Sequence, residues 1–234
     1  MLYNRSELQS SRISALLRLF SENGGLINSY LRTRILHLII GREGGVYTSY
    51  TLRRLLSAER DIELGSYSYG ALETIYGFRP KTRIGRYTSI GPGVSMFNAN
   101  HPYLTISTHP YFYTDESGYE DLQRHSLTIG HDVWLGANSI ICPGCHRVGN
   151  GAIIAAGAVV TKAVPDYAIF AGNPAKVIKW RFDPVTIDTL LRSEWWFVPF
   201  QQIKTLMHEM RLPLNKDRLD YLMQRVLAMK FERS

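Results

Sequence analysis

Imidazole is the side chain best suited to gain and lose a proton near neutral pH, so the seven histidines of this 234-residue chain are the first candidates for acid–base chemistry. His101 differs from the others in context. It opens an irregular stretch, Asn98-Ala99-Asn100-His101-Pro102, which runs on to Thr108-His109-Pro110-Tyr111-Phe112-Tyr113. A histidine in such a loop can take the proton of a hydroxyl as a general base. His109, His125, His131 and His146 read as structural, and His37 and His208 fall in expected helices with no supporting context. The two cysteines, Cys142 and Cys145, cannot build a disulfide framework and cannot complete a four-ligand zinc site. Cys142-Pro143-Gly144-Cys145 sits in a turn, not ahead of a helix in a βαβ unit, which argues against a redox pair.

The elements that must carry His101 show themselves as an internal repeat between Ile62 and Val164. An aliphatic residue recurs every six positions, with Gly or a small residue next to it and a second small residue four positions on. Ile62-Glu63-Leu64-Gly65-Ser66, Ile84-Gly85-Arg86-Tyr87-Thr88, Ile90-Gly91-Pro92-Gly93-Val94, Ile129-Gly130-His131-Asp132-Val133 and Leu135-Gly136-Ala137-Asn138-Ser139 fit, as do Val148 to Ala152 and Ile154 to Ala158. This period is neither 3.6 nor 2, and it fits a short strand followed by a tight turn, with Gly or Asn supplying the strained backbone at each corner. Three units close one triangular coil, and stacked coils share an aliphatic core. The period slips by one residue between Ile141 and Val148 and breaks from Met96 to about Thr128, the excursion that His101 begins.

On either side the pattern is helical. Ile13, Leu16, Leu17 and Phe20, then Leu31, Ile35, Leu38 and Ile39, have helical spacing, and Thr51 to Glu59 carries Leu52, Leu55 and Leu56 on one face with Arg53, Arg54 and Arg60 elsewhere, a helical cap with a solvated basic face. After Val177, Asp183 is placed to cap a helix that has Pro184 at its first position, and further helices are expected over Gln201 to Met210 and Asp217 to Phe231. Trp195-Trp196 reads as the anchor of this tail on the coil. The division is a basic helical extension over 1–60, a repeat domain over 61–180 with its excursion loop at 96–128, and a helical tail over 181–234.

Composition limits the classes. No apolar run approaches the roughly 18 residues that span a bilayer, and the first residues hold no secretory h-region, so a soluble cytoplasmic protein is expected. The net charge of +7 is concentrated: residues 1–60 hold nine arginines and four glutamates, giving +5, and the remainder holds 18 basic and 16 acidic side chains, giving +2. That distribution favours peripheral contact of the N-terminal helices with an anionic surface and argues against nucleic acid as a partner.

These residues resemble the hexapeptide-repeat acyltransferases, in the branch of xenobiotic and polysaccharide O-acetyltransferases that includes the streptogramin and hexapeptide-type chloramphenicol enzymes. The resemblance runs from about Ile62 to Ile203. It is carried by Tyr67-Ser68-Tyr69-Gly70, the run from Ile84 to Gly93, Asn100-His101-Pro102, Ser107-Thr108-His109-Pro110, Asp132-Val133-Trp134-Leu135-Gly136-Ala137-Asn138, Val160-Thr161-Lys162, Ala171-Gly172-Asn173-Pro174-Ala175-Lys176 and Glu194-Trp195-Trp196. It implies a mainly β chain, a left-handed parallel β-helix with a helical N-terminal extension and C-terminal helices. It also implies transfer of an acetyl group from acetyl-CoA to a hydroxyl, with His101 as general base and no metal. Ala137, Ala156 and Thr161 would line the pantetheine path with Trp134 nearby, and Lys162, Lys176 and Lys179 would meet the CoA phosphates. Tyr67, Tyr69, Asn100 and Tyr111, with the neighbouring aromatics up to Tyr113, would shape the acceptor site. A homotrimer with active sites between subunits is implied too.

The basic 60-residue N-terminal extension goes beyond the antibiotic acetyltransferases and is similar to those of enzymes that modify capsule or lipopolysaccharide O-antigen. This resemblance implies an anionic or lipid-linked glycan acceptor, with chloramphenicol or streptogramin as the alternative. Two readings from other classes compete. A zinc enzyme of the γ-carbonic-anhydrase kind shares the fold, but His125 and His131 are six apart where that family's downstream pair is five apart. A non-catalytic structural solenoid would leave His101 and the lysines incidental.

Overall fold

The computed structural model describes Leu8 and residues 29–114, 122 and 124–231. The helix expected around Ile13 to Phe20 lies outside the described residues. The chain is mainly β, with parallel sheets and flanking helices. Helices α1 (Ser29–Arg42) and α2 (Tyr50–Arg60) lead into strand β1 (Ile62–Leu64), a short helix α3 (Leu72–Tyr76), and then β2 (Thr82–Ile84), β3 (Ser89–Ile90) and β4 (Ser95–Met96). After the excursion come β5 (Leu127–Ile129), β6 (Trp134–Leu135), β7 (Ile140–Ile141), β8 (Arg147–Val148), β9 (Ile153–Ile154) and β10 (Val159–Val160), and a hairpin of β11 (Ala168–Gly172) and β12 (Ala175–Trp180).

Successive strands fall in different sheets. The orders are β1-β2-β5-β8, β3-β6-β9-β11-β12 and β4-β7-β10, and every pairing is parallel except β11 with β12. The chain thus visits three sheets in rotation, and a strand of two or three residues pairs with the strand one circuit later, about 4.8 Å away. The six-residue period follows from this circuit. Ile84, Ile90 and Met96 of one coil stack under Ile129, Leu135 and Ile141 of the next, and Val148, Ile154 and Val160 form the coil after that; all nine are buried. The second small position is buried as well, at Ser66, Thr88, Val133, Ser139, Ala152 and Ala158.

The corners correct one expectation. At the turn between the first and second sheets the left-handed conformation is held by Tyr67, Tyr87, Asp132, Gly151 and Tyr167, with φ of 65°, 60°, 55°, 64° and 56°. Four of these five are neither Gly nor Asn, although a left-handed L-residue costs roughly 1–2 kcal/mol. Ring packing offsets part of that, since Tyr67 and Tyr87 stack with centroids 5.1 Å apart. Glycine is needed two residues earlier for space: a Cβ on Gly85 would run into the Gly130 carbonyl of the next coil.

The N-terminal cap also differs from its sequence pattern. Ile40, Leu52 and Leu56 join the coil's own core, and Arg53, expected on a solvated face, is fully buried. Its guanidinium donates to the carbonyls of Val46, Tyr47 and Ser49 in the turn between α1 and α2 and to the Gly65 carbonyl of the first coil at 2.9–3.0 Å, so one buried charge supplies the donors that these backbone acceptors need. Arg54 and Arg60 remain exposed.

In the tail, Asp183 caps α4 (Pro184–Ser193) as expected, accepting from the Val185 and Thr186 amides at 3.0 Å. Bonds from Thr186 and these amides hold its carboxyl below the ordinary range. The helix expected over Gln201 to Met210 is interrupted: α5 (Phe200–Ile203) and α6 (Met207–Met210) flank a 3-10 turn at Lys204–Leu206, before α7 (Lys216–Phe231). Trp196 is buried against the coil. Among the described residues no helix is long and apolar enough to cross a membrane.

Candidate functional site

The chain leaves the coil after β4, and two bonds close the neck of the excursion. The Asn98 side-chain amide donates to the Pro80 carbonyl at 3.0 Å, and the His125 amide donates to the Asn98 carbonyl at 2.8 Å. Three residues beyond Asn98 stands His101, exposed, with its Nδ1 2.8 Å from the Thr108 carbonyl oxygen. A carbonyl only accepts, so the Nδ1 proton is fixed there, and in the neutral ring the lone pair is on Nε2. Among the described residues Nε2 has no hydrogen-bond partner. A neutral, outward-facing imidazole nitrogen with its tautomer set from behind can accept a proton. The Tyr113 hydroxyl also lies 2.8 Å from Nδ1.

Asn100 and Tyr111, expected at an acceptor site, lie on the same loop; both are exposed, Tyr111 to 83%. Tyr69, Trp134 and Lys179 share one outward ladder on the second sheet, where the register runs Tyr69, Ser89, Trp134, Ile153, Ile169, Lys179. Tyr69 stacks on Tyr47 with centroids 4.9 Å apart, and Trp134 is 55% exposed. Ala137 and Ala156 occupy the following corner one coil apart, where a Cβ on Gly136 would meet the Ala156 amide. Thr161 and Lys162 are exposed at the third corner, directly after β10, and Lys176 is exposed near the start of β12. Tyr67 is elsewhere: its ring packs between Tyr87 and Phe200 on the corner covered by the tail, not on the His101 excursion.

The remaining titratable groups have structural surroundings. Burial, helped by the Arg86 charge and opposed by Glu194, pushes the His131 imidazole down to about 4. Burial raises the Asp132 carboxyl against the opposing pull of Arg181, which pairs with it at 3.0 Å. The Cys145 thiol is pushed up to about 11, chiefly by burial, and the Cys142 thiol is raised for the same reason, so neither is a ready thiolate. Among the described residues no group of three or more His, Cys, Asp or Glu side chains could hold a metal ion. Sequence reasoning grouped Tyr113 with the acceptor aromatics and missed its bond to His101; the signal, a tyrosine just past His109-Pro110, has meaning only once the turn is seen.

No family model matches the chain. It is 42% identical over 136 residues to a chloramphenicol acetyltransferase from Morganella morganii, covering 54% of this chain and 64% of that one. A second chloramphenicol acetyltransferase, from Agrobacterium fabrum, is 42% identical over 135 residues, 53% of this chain and 63% of its own length. The chain thus spans a little under two thirds of these curated relatives. A probable macrolide acetyltransferase from Lysinibacillus sphaericus is 41% identical over 139 residues, 55% of this chain and 76% of that one. Among solved structures, a hexapeptide-repeat-containing acetyltransferase from Vibrio cholerae matches 76% of this chain and 98% of its own at 20% identity, with a TM-score of 0.43. The repeat, the three-sheet circuit and the match over three quarters of the macrolide-type relative lead to one assignment: the chain belongs to the hexapeptide-repeat acetyltransferase family of the chloramphenicol and macrolide acetyltransferases.

Proposed function

We propose that the protein is an acetyl-CoA-dependent O-acetyltransferase that modifies a saccharide hydroxyl, with His101 as general base. The observation that carries this is the His101 ring itself, its Nδ1 proton held by the Thr108 carbonyl and its Nε2 without a hydrogen-bond partner among the described residues. Nε2 takes the acceptor's hydroxyl proton as the oxygen attacks the thioester carbonyl carbon. When the tetrahedral adduct collapses, the carbon–sulfur bond breaks and the imidazolium returns the proton to the leaving thiolate. Such a base is worth roughly 10²- to 10⁴-fold, and holding the two reactants together supplies much of the rest.

In this reading the coil is a left-handed β-helix over 61–180, with 1–60 and 181–234 as its N-terminal and C-terminal additions. Ala137, Ala156, Thr161 and Trp134 line the pantetheine path, and Lys162, Lys176 and Lys179 face the phosphates. Tyr69, Asn100 and Tyr111 contact the acceptor; Tyr67, packed under the tail, supports the corner. The protein works as a homotrimer in which the His101 loop meets a neighbour's CoA track, and the exposed apolar side chains of that loop, Leu104, Ile106 and Phe112, fit such a contact. A reaction drawing on acetyl-CoA fits the cytoplasm. The basic N-terminal helices rest on an anionic surface, and nucleic acid is not a partner.

A second reading, an antibiotic acceptor of the chloramphenicol or streptogramin kind, has a specific observation behind it: the relatives named above are called chloramphenicol and macrolide acetyltransferases, which favours an antibiotic over a saccharide and chloramphenicol by name. Thiol release from acetyl-CoA, followed with O-antigen sugars, capsule sugars and these antibiotics in parallel, tests both. Turnover with a sugar alone supports the first reading, turnover with an antibiotic alone supports the second, and no thiol release with any acceptor contradicts both.

A further inference from the structure

Two oxygen atoms hold His101 from its Nδ1 side, and only one belongs to the backbone. The Thr108 carbonyl and the Tyr113 hydroxyl each lie 2.8 Å from that nitrogen, and the His101 and Tyr113 rings meet edge to face, with centroids 5.9 Å apart and planes at 82°. Because the carbonyl can only accept, the proton sits on Nδ1, and the Tyr113 oxygen accepts the other share of a three-centre bond. Nε2 points away across the ring, so Tyr113 touches the base and not the reacting atoms.

We propose that Tyr113 is a positioning residue for the transfer: its hydroxyl and ring edge keep the His101 imidazole in the Nδ1–H tautomer and in one orientation. The inference rests on the general-base reading of His101. Its physical need is plain. An unrestrained neutral histidine favours the proton on Nε2, the wrong nitrogen here, and an exposed side chain turns freely among rotamers.

The loop is built to deliver Tyr113. Residues Pro110–Phe112 form one 3-10 turn, and the Tyr113 and Thr114 amides both donate to the Pro110 carbonyl, at 3.0 and 2.8 Å. His109 caps this turn, its Nδ1 accepting from the Tyr111 amide at 3.2 Å while its own amide donates to Ser107 Oγ at 3.2 Å. Thr105 Oγ1 donates to the Ser107 carbonyl at 2.7 Å. In an exposed loop with little core of its own, these bonds converge on the residue that touches the base.

Tyr113→Phe removes only the oxygen and tests the idea. The expected result is a loss of about tenfold in kcat, with the KM values for acetyl-CoA and acceptor within about twofold of the parent. Long-range ¹⁵N–¹H correlation spectra of His101 should move from the Nδ1–H pattern toward a tautomer mixture. Tyr113→Leu, which also loses the ring edge, should fall further in kcat. A Tyr113→Phe protein with parental kcat, or with unchanged His101 nitrogen shifts, overturns the proposal. His101→Ala, assayed beside it, reports on the general-base reading alone. Full turnover in that variant refutes the base, while the nitrogen shifts still decide whether Tyr113 holds the ring.

Discussion

The imidazole of His131 lies flat on the indole of Trp196, with centroids 5.1 Å apart and planes within 5° of parallel. The Arg86 amide donates to His131 Nδ1 at 2.9 Å, and Phe197 meets the ring edge-on at 4.9 Å. Trp195 packs on Tyr87 at 5.3 Å. This corner is where the tail is fastened to the coil, and His131 is the member whose charge can change.

Stability should therefore fall with pH over a defined window. Burial pushes the His131 imidazole in the folded chain down to about 4, below its ordinary 6.5. As pH drops through 6.5 the unfolded chain binds a proton that the folded chain refuses, so stability is full above 6.5, declines between 6.5 and 4, and levels off below. The size is about 2 kcal/mol after allowing for partial exposure. Thermal unfolding at pH 7.5 and pH 4.5 should show this loss in the parent and a smaller one in His131→Gln; equal losses in both would remove His131 as the cause.

Arg53→Ala should destabilise by about 3 kcal/mol or more, because the carbonyls of Val46, Tyr47, Ser49 and Gly65 lose their donor inside the cap. Arg54→Ala, at an exposed neighbour, should stay within about 0.5 kcal/mol. Denaturant midpoints for the pair check this, and similar midpoints would contradict it.

Two glycines separate space from backbone strain. Gly85→Ala drives a Cβ into the Gly130 carbonyl and should cost about 3 kcal/mol or prevent folding. At Gly157, with φ +67° and open space around it, alanine should cost only about 1 kcal/mol. Circular-dichroism melts of both variants give the comparison.

Lys179→Ala should raise the KM for acetyl-CoA by about threefold to tenfold, leave kcat near the parent, and lose its effect at high salt, as an exposed phosphate contact would. Steady-state kinetics at 0.05 M and 0.5 M salt check it; a change confined to the acceptor KM would reassign the residue.

The coil could be read from the sequence because its packing repeats: Ile84, Ile90, Ile129, Leu135, Val148 and Ile154 are buried for the same reason at each level, so periodicity and burial agree. Arg53 could not, since a charge at helical spacing reads as surface until the carbonyls of the α1–α2 turn and of Gly65 are seen to converge on it. The tyrosines at the left-handed corner run against their own backbone preference and are held by stacking, which a residue-by-residue reading does not include. Within the loop, the break in the six-residue period marks the excursion on which His101 stands, whereas the contact of His101 with Tyr113 depends on the turn at Pro110–Phe112, a geometry with no period to betray it.

The most direct test of the central claim is the turnover of His101→Ala with an acceptor that the parent acetylates, measured alongside acetyl-CoA binding by calorimetry. A general base at Nε2 predicts a loss of roughly 10²- to 10⁴-fold in kcat with acetyl-CoA affinity retained. Turnover within a few-fold of the parent would contradict the account.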